Sequence, residues 1–283
     1  MGGNAADGLG ARIAALEERL RALGSVLVAF SGGSDSAFLL AAAVRALGAE
    51  RVMAATAVSP SLPAAELAGA AAFATDLGVP HHTPRTDELA RDGYQANGGD
   101  RCYFCKAELL DVLGPLAAAL QLTHVATGTN ADDARAGFRP GIRAAAERGA
   151  VTPLLDAGLS KPDVRAASRA WGLSTWDKPA AACLSSRVAY GLPITPARLG
   201  RVERAEAALR GALSAAGYLV CDLRVRDLGD DARVEVDRAL APVLAGRPDL
   251  LGVVRGFGSV SVDPRGFRSG SMNELLAEPD RYR

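Results

Sequence analysis

The sequence predicts an α/β fold, in which a parallel sheet carries helices on both faces, followed by a small C-terminal α+β domain. Short apolar runs of strand length alternate with longer helical patterns up to about residue 190, and this alternation is typical of parallel sheets. From about residue 195 the order changes to helix, strand, strand, helix and strand. We therefore predict one domain over 1–190 and a second over 191–283, with the boundary in the Gly- and Pro-containing segment AYGLPITP.

The elements of the first predicted domain follow from apolar periodicity, with glycine and proline marking their ends. A helix over 9–23 has apolar residues at helical spacing, and the apolar run at 26–30 has the length of a buried strand. After it we predict, in chain order, a helix from 37, a strand over 51–59, a helix over 61–78, a short or edge strand over 79–86, a helix over 105–122 and a strand that runs into a polar loop over 123–133.

In the second predicted domain, a long amphipathic helix covers 195–218, and polar alternation indicates strands over 219–229 and 232–237. A helical stretch follows, and a last strand falls within 258–271. Cys221 lies in the first of these predicted strands, where a lone cysteine is usually a small buried apolar residue.

Composition limits the classes of function. Apolar residues make up 49% and charged residues 23%, and the 32 basic side chains equal the 32 acidic ones. This balance argues against a nucleic-acid-binding surface. The N-terminal residues contain no apolar signal core, and no window reaches the about 20 apolar residues of a membrane span. We therefore expect a cytoplasmic protein with reduced thiols and no membrane contact.

The segment SGGSDS, between the first strand and the next helix, has the composition of an anion-binding loop. It comprises Ser31, Gly32, Gly33, Ser34, Asp35 and Ser36. Glycines let backbone N–H groups turn toward a ligand, and the N-terminus of the following helix adds further N–H groups and a positive dipole end. A strand–turn–helix with glycines also occurs without any ligand, so spacing alone leaves both interpretations open.

Two other polar segments also follow strands of the predicted parallel sheet. One begins at Ser59, and the other runs from Gly128 to Asp133. Ligands of such sheets bind beyond the carboxyl ends of the strands. The sequence therefore predicts that Ser59, Gly128 and Asp133 join the SGGSDS loop in one nucleotide-binding crevice.

The cysteines are candidates for chemistry or metal binding. Cys102 and Cys105 form a C-x-x-C pair, which is compatible with half of a structural zinc site, with thiols that have no role, or with part of an iron–sulfur site. With the distant Cys183 as a third ligand, a [4Fe–4S] cluster would keep one iron open for an external ligand such as hydrosulfide. Lys178 and Arg187 flank Cys183 in the sequence, and positive charge favours a reactive thiolate.

Only three of the 32 basic residues are lysines. Lys178 is expected either near the active site or in a salt bridge, whereas Lys106 and Lys161 are expected to be solvated. His81 and His82 fall in a loop or an edge strand, and nothing in their sequence context makes them ligands.

Six motifs, in order along the chain, resemble the LarE family of PP-loop ATP pyrophosphatases. They are AFSGGSDSAFLL, RCYFCKAELL, ATGTNADD, FRPGIRAAAERGAVTPLLDAGLSKPDVRA, TWDKPAAACLSSRVAYGLPIT and GFRSGSMNE. The resemblance extends over nearly the whole chain. CLSSR followed by YG, and RSGSMNE, are its specific parts, whereas the SGGxDS loop is common to the superfamily. The resemblance implies a fold like that of the adenine nucleotide α-hydrolases.

The resemblance also implies an ATP-dependent sulfurtransferase of nickel-pincer cofactor biosynthesis, which serves lactate racemase. The substrate of the family is pyridinium-3,5-biscarboxylic acid mononucleotide. ATP adenylates one carboxylate and pyrophosphate leaves; a sulfur nucleophile then displaces AMP, and both steps repeat on the second carboxylate. Sulfide or another sulfur donor is the implied partner. A homo-oligomer is also implied, with the C-terminal domain serving oligomerisation or the substrate site.

Carried over residue by residue, the resemblance implies that the SGGSDS loop holds pyrophosphate and that Asp35 helps to place Mg²⁺. The residues implied nearer the C-terminus are Ser186 and Arg187 for the substrate phosphate, and Glu206 and Asp237 for a metal. These assignments rest on the resemblance alone.

Cys183 matches the sulfur-bearing cysteine of the family, which has two known fates. In some members it gives up its own sulfur and becomes dehydroalanine, whereas other members hold a [4Fe–4S] cluster on three cysteines and turn over repeatedly. The presence of Cys102 and Cys105 favours the cluster type for this chain. Two alternatives are a related PP-loop tRNA thiolase, and a nucleotide-binding module with structural zinc and no chemistry.

Overall fold

The computed structural model describes residues 3–135, 140–179 and 182–276. Parts of two motifs, 138–139 and 180–181, therefore lie outside the described residues. The chain divides into two compact units: a first unit of Met1–Glu88 with Cys102–Ala181, and a second unit of Leu89–Arg101 with Ala182–Tyr282. No helix of the described residues is both long and apolar enough to cross a membrane.

The two units differ from the predicted domains 1–190 and 191–283, because the second unit is assembled from two separate segments. The side-chain amide of Asn97 donates hydrogen bonds to the carbonyl oxygens of Ala189 and Leu192, both at 2.8 Å. The backbone N–H of Ile194 donates to the carbonyl oxygen of Gln95 at 3.0 Å. These bonds join residues that are far apart in sequence, so local composition does not reveal them.

The helices and strands of the described residues are numbered here in chain order. The α-helices are α1 (Gly3–Leu23), α2 (Ser34–Leu47), α3 (Ala64–Asp76), α4 (Asp92–Gln95), α5 (Arg101–Ala119), α6 (Ala131–Arg135), α7 (Pro140–Glu147), α8 (Pro153–Asp156), α9 (Lys161–Ala170), α10 (Pro196–Ala215), α11 (Ala241–Ala245) and α12 (Pro248–Leu251). The strands are β1 (Val26–Ala29), β2 (Val52–Ala55), β3 (His81–His82), β4 (His124–Thr127), β5 (Leu223–Asp227), β6 (Asp231–Val236) and β7 (Ser259–Val262). Short 3₁₀ turns cover Ala49–Arg51, Glu88–Ala90, Leu184–Arg187 and Ser271–Leu275.

The first unit contains a parallel four-stranded sheet in the order β3-β2-β1-β4. Successive residues of β1 point to opposite faces, as the pleat of a strand requires. Val26 and Val28 belong to the core formed with α1, α2, α3 and α9, whereas Leu27 packs on the opposite face with Leu113 and Ala117 of α5. Helices therefore cover both faces, which confirms the predicted α/β class.

Two elements differ from the sequence-based prediction in ways that affect the site. Helix α2 begins at Ser34 rather than at 37, so the polar end of the SGGSDS loop forms its first turn. Helix α5 begins at Arg101 rather than at 105. Cys102 and Cys105 therefore share the first turns of a helix, where residues three apart lie on one face.

The second unit contains a mixed sheet, in which β5 and β6 are antiparallel and β6 and β7 are parallel. Its core includes Leu209 and Leu213 of α10 and Val225 of β5. This arrangement confirms the predicted small α+β portion. Cys221 was expected to be a buried residue of a strand, and this expectation is wrong, because the residue is exposed and precedes β5. The backbone N–H of Cys221 donates to the carboxylate of Asp237.

Helix α9 starts with a reciprocal cap between Ser160 and Asp163. The backbone N–H of Asp163 donates to the Ser160 hydroxyl at 3.3 Å, and the backbone N–H of Ser160 donates to the Asp163 carboxylate at 3.0 Å. Arg12 of α1 donates to the other carboxylate oxygen at 2.8 Å. Burial alone would raise the pKa of Asp163, but the hydrogen bonds from Ser160 and Arg12 outweigh it and lower that pKa.

Replacing Asp163 with alanine should lower the free energy of unfolding by about 1 kcal/mol at pH 7, because the cap of α9 is lost. A carboxylate with a lowered folded pKa stabilises the fold above its unfolded pKa of about 4, and this contribution disappears as the pH falls through the folded value. Urea unfolding curves of wild type and D163A should therefore differ at pH 7 and converge in acid.

The control is Asp76→Ala, which removes an exposed aspartate at the C-terminal end of α3. An equal loss of stability in D76A, or a D163A deficit that persists at pH 2, would contradict this account.

Candidate nucleotide site and thiol segment

A cavity of about 400 Å³ lies in the first unit, at the carboxyl ends of β1, β2 and β4. The SGGSDS loop contributes Ser31, Gly33, Ser34, Asp35 and Ser36 to its walls. The loop after β4 contributes Gly128, Thr129 and Asp133, and the segment after β2 contributes Thr56, Ala57 and Leu62. The topology thus brings three segments that follow separate strands to one cavity, where ligands of parallel sheets bind.

The SGGSDS loop is held by its own hydroxyl groups. Gly32 has a φ of +73°, in the left-handed region that favours glycine. The Ser36 hydroxyl donates to the carbonyl oxygen of Gly33 at 3.1 Å and lies 3.1 Å from the Ser31 hydroxyl. Gly33 is the N-cap of α2 and has no side chain to bind the first N–H groups of the helix. The loop therefore has the geometry of an anion cradle.

Gly128 makes the closest approach of the β4 loop to this cradle. A Cβ atom placed there would lie 2.8 Å from the backbone nitrogen of Ser36 and 3.1 Å from the carbonyl carbon of Asp35. Both contacts are with backbone atoms, which cannot turn aside as a side chain could. Only glycine therefore allows the loop after β4 to pack on the first turn of α2.

Lys161 occupies the polar side of the cavity and is not simply solvated, as the sequence suggested. Its ammonium group donates to the Asp35 carboxylate at 2.5 Å and to the Ser34 hydroxyl at 2.7 Å. Asp35 Oδ1 is buried and has no hydrogen-bond partner among the described residues. One carboxylate oxygen at the cradle thus stays available for another partner, and this is the kind of ligand that Mg²⁺ takes together with phosphate oxygens.

Lys106 also lines the cavity, again contrary to the expectation of a solvated side chain. Burial lowers the pKa of Lys106, and the negative charge available on Cys105, Cys102 and Asp133 opposes that shift. Lys106 therefore shares its electrostatic environment with both thiols of the C-x-x-C motif.

The third lysine, Lys178, forms the salt bridge that the sequence analysis considered. Its ammonium group donates to the Glu66 carboxylate of α3 at 2.7 Å and to the carbonyl oxygen of Gly32 at 3.0 Å. Pro179, the next residue, lines the cavity.

Ser59 contacts a buried carboxylate that sequence reasoning missed. The hydroxyls of Ser59 and Ser61 each donate to Glu88 Oε1 at 2.5 Å, and the Thr86 hydroxyl donates to Oε2 at 3.2 Å. These bonds fix the segment that follows β2. Ser59 is not among the described residues that line the cavity, so its contact with a nucleotide stays a prediction.

The C-x-x-C pair is braced by α7. Cys102 is exposed and Cys105 is half-buried. Between them, the Tyr103 hydroxyl donates to Glu147 at 2.5 Å, and the guanidinium of Arg143 lies 4.6 Å from the ring centre. No three His, Cys, Asp or Glu side chains of the described residues are grouped closely enough to hold a metal ion.

Cys183 lies in the second unit, and the backbone carbonyl oxygen of Cys183 accepts hydrogen bonds that hold this segment in shape. The Ser186 hydroxyl donates to that oxygen at 2.8 Å, and the buried Arg187 guanidinium donates to it at 3.0 Å. Arg187 also pairs with both carboxylate oxygens of Glu206, at 3.0 and 3.2 Å. The Cys183 side chain itself is half-buried.

The residues predicted to bind phosphate and metal in the second unit thus have partners within the protein. Arg187 and Glu206 pair with each other, and Glu206 also accepts the backbone N–H of Val225 at 3.0 Å. Asp237 accepts the backbone N–H groups of Cys221 and Asp222 at 2.9 and 3.1 Å. Their proposed ligand roles stay predictions, and each has a structural role in the fold.

Sequence reasoning missed two buried arginines of β5, although the polar alternation of LRVRD was the available signal. Arg226 donates to the carbonyl oxygen of Ser186 at 3.3 Å and to the buried carboxylate of Glu235 at 2.7 Å. Burial and the nearby charges of Arg187 and Arg226 lower the pKa of Arg224 to about 10. Arg187, Arg224 and Arg226 thus lie near one another, and Arg187 and Arg226 are each paired with a carboxylate.

Comparison with known proteins places the chain among its relatives. No family model matches it. A protein of Synechocystis sp. is 43% identical over 263 residues, which cover 90% of this chain and 94% of that protein. The pyridinium-3,5-bisthiocarboxylic acid mononucleotide synthase of Lactiplantibacillus plantarum is 34% identical over 273 residues, covering 95% of this chain and 96% of the synthase. A protein of Methanocaldococcus jannaschii is 26% identical over 175 residues, or 61% and 66% of the two chains.

The similarity to the synthase extends over 95% of this chain and 96% of the synthase. Identity of 34% over nearly the full length of both chains shows common membership rather than a shared fold alone. The chain belongs to the LarE family, the family of the pyridinium-3,5-bisthiocarboxylic acid mononucleotide synthase.

Proposed function

We propose that the chain is an ATP-dependent sulfurtransferase that converts pyridinium-3,5-biscarboxylic acid mononucleotide into the bisthiocarboxylic acid, within nickel-pincer cofactor biosynthesis. The observation that carries this proposal is the cavity of the first unit, where the SGGSDS cradle, Lys161 and Asp35 meet. Membership in the family of a synthase of the bisthiocarboxylic product supports the choice of substrate.

The cavity suits the activation of a carboxylate by ATP. A carboxylate oxygen of the substrate would attack the α-phosphorus of ATP, and the bond to the leaving pyrophosphate would break. N–H groups at the start of α2 and the ammonium groups of Lys161 and Lys106 would neutralise the charge that develops on pyrophosphate. The product is an acyl-adenylate, which has AMP as a good leaving group.

Mg²⁺ fits the cradle through Asp35, whose Oδ1 is buried without a hydrogen bond among the described residues. Asp35 would help to hold the ion, because Mg²⁺ takes few protein carboxylates and several phosphate or water ligands. Bound Mg²⁺ would supply positive charge to the pyrophosphate leaving group.

The second step transfers sulfur to the activated carbonyl carbon. A sulfur nucleophile would form a C–S bond, the C–O bond to the phosphate of AMP would break, and AMP would leave with the electron pair. Cys183 is the proposed sulfur-bearing residue. Ser186 and Arg187 fix its backbone, and Arg226 holds the carbonyl oxygen of Ser186 in the same segment.

Two sources of the sulfur are compatible with this chain, and we favour the first. Cys102 and Cys105 on α5, with Cys183, would hold a [4Fe–4S] cluster, and such a cluster would supply a binding place for external sulfide. In the alternative, Cys183 gives up its own sulfur and becomes dehydroalanine. The pair on α5 supports the first route, because the second leaves Cys102 and Cys105 without a task.

Anaerobic incubation with ATP, Mg²⁺, sulfide and the biscarboxylic substrate should yield thiocarboxylate together with AMP and pyrophosphate. Cys183→Ala should abolish thiocarboxylate while pyrophosphate and the acyl-adenylate are still formed, because adenylation needs no sulfur nucleophile. Cys221→Ala removes the other, exposed thiol of the second unit and should match wild type. Mass spectrometry of the product checks this. Absence of all three products in wild type would refute the proposed function.

Gly128→Ala should weaken ATP binding by about 10-fold and lower the free energy of unfolding by about 1–3 kcal/mol, because the added methyl group collides with the backbone of α2. Titration with ATP and urea unfolding measure the two effects. Gly114→Ala is the matched control, since a Cβ atom at this exposed position of α5 meets nothing within 4 Å. Unchanged ATP binding in G128A would show that the two loops do not form one site.

Cys102→Ala should lower the iron and acid-labile sulfide content of the anaerobically purified protein to background, because a cluster ligand is removed. Cys221→Ala should retain the wild-type content. An iron-free wild-type protein, whose Cys183 becomes dehydroalanine after one round of reaction, would instead favour the sacrificial route.

A further inference from the structure

The distribution of lysine in this chain is unusual, because two of the three lysines line one cavity and the third contacts the SGGSDS loop in its wall. Three of the 32 basic residues are lysines, and the others are arginines. Lys106 and Lys161 line the cavity, and Lys178 binds the carbonyl oxygen of Gly32 in the SGGSDS loop. At these positions a lysine supplies a compact ammonium group, whereas an arginine would supply a planar guanidinium.

Lys161 and Lys178 contact the loop in different ways, although both belong to the segment that contains α9. Lys161 binds side-chain oxygens that line the cavity, namely those of Ser34 and Asp35. Lys178 binds a backbone carbonyl oxygen and the carboxylate of Glu66, and it is not among the described residues that line the cavity. Lys178 is therefore placed to position the loop rather than to contact a ligand.

The contact with Gly32 controls the direction of one peptide group. The carbonyl of Gly32 and the N–H of Gly33 belong to the same planar trans peptide and point in opposite directions. Because Lys178 binds that carbonyl oxygen, the N–H of Gly33 points away from Lys178, toward the cavity-lining hydroxyl of Ser31 at 3.4 Å. An N–H on the cavity side attracts phosphate, whereas a carbonyl oxygen there would repel it.

This peptide needs an external restraint, since it joins two glycines. Gly32 has a φ of +73°, and glycine enters several backbone regions at little cost, so rotation of the peptide is easy. Helix α3 restricts the space on one side, because a Cβ at Gly32 would lie 3.4 Å from Ala70 Cβ. The salt bridge of Lys178 with Glu66 of the same helix, at 2.7 Å and half-buried, holds the ammonium group in place.

We propose that Lys178 is a positioning residue for phosphate recognition, which holds the Gly32–Gly33 peptide with its N–H toward the phosphate chain. The inference rests on the proposed function, because it takes the cavity to be an ATP site. It assigns to Lys178 an action on the phosphate part of the nucleotide only, since its partners belong to the loop and to α3.

The test compares binding of ATP, inorganic pyrophosphate and adenosine to wild type and to Lys178→Met. K178M should bind ATP and pyrophosphate about 10- to 100-fold more weakly, as expected for loss of a charge-assisted hydrogen bond, and should bind adenosine as wild type does. A residue that only stabilises the fold would alter adenosine binding as well, or would alter none of the three. Isothermal titration calorimetry and the urea midpoint of each variant measure these effects.

Two further variants separate geometry from charge. Arg169→Met removes a cation from the same segment, one that lies over the Trp176 ring, 4.9 Å from its centre, and should bind pyrophosphate as wild type does. Lys178→Arg keeps the charge but cannot place a single ammonium group between Gly32 and Glu66, so it should weaken pyrophosphate binding by several-fold. If K178M does not fold, K178R decides the question in the same assay.

Pyrophosphate affinity of K178M within twofold of wild type, or an equal loss for adenosine, would overturn the inference. So would K178R that binds pyrophosphate as tightly as wild type, because charge alone would then suffice. A wild-type protein that binds neither ATP nor pyrophosphate would contradict the proposed function itself, which distinguishes the two failures.

Discussion

The close backbone contact between Gly128 and Ser36 is the constraint on which the nucleotide cavity depends. Strands β1 and β4 are neighbours in the sheet, so the loops that follow them leave from adjacent points. They can meet only because position 128 carries no side chain. This contact sets the first turn of α2, and through it the direction of the N–H groups, the place of Asp35 and the partner of Lys161. The charged contacts of the cavity therefore depend on the absence of a side chain at position 128.

Local signals in the sequence were sufficient to predict the parallel sheet and the position of the SGGSDS loop at the end of its first strand. Apolar runs and glycines report short-range geometry, and the rule that parallel strands end at one edge places Gly128 and Asp133 beside the loop. The roles of Lys106 and Lys161 could not be read in this way, because burial of a lysine depends on which face of its helix meets the cavity. Glu88 was missed for a different reason, since its hydroxyl partners Ser59 and Ser61 are distant from it in sequence.

Buried charge in the second unit serves the shape of the Cys183 segment. Arg187 and Arg226 bind the backbone carbonyls of Cys183 and Ser186, and each arginine has its own carboxylate partner. Such pairs add little net stability, because the cost of removing both charges from water is large. Their benefit is a single, fixed conformation of the Cys183 segment, since a guanidinium with fixed partners allows one backbone arrangement. The sequence showed only alternating polar residues in β5, which is compatible with a solvent-facing strand.

The discontinuous make-up of the second unit has a consequence for the order of events during synthesis. Residues 89–101 leave the ribosome before the segment from 182 onward, whose carbonyl groups satisfy the amide of Asn97. The early segment must therefore remain unpaired while the intervening chain emerges, and closure of this long loop costs entropy before any contact forms. The buried side-chain amide of Asn97 can therefore form its hydrogen bonds only after residues 189–192 have been synthesised.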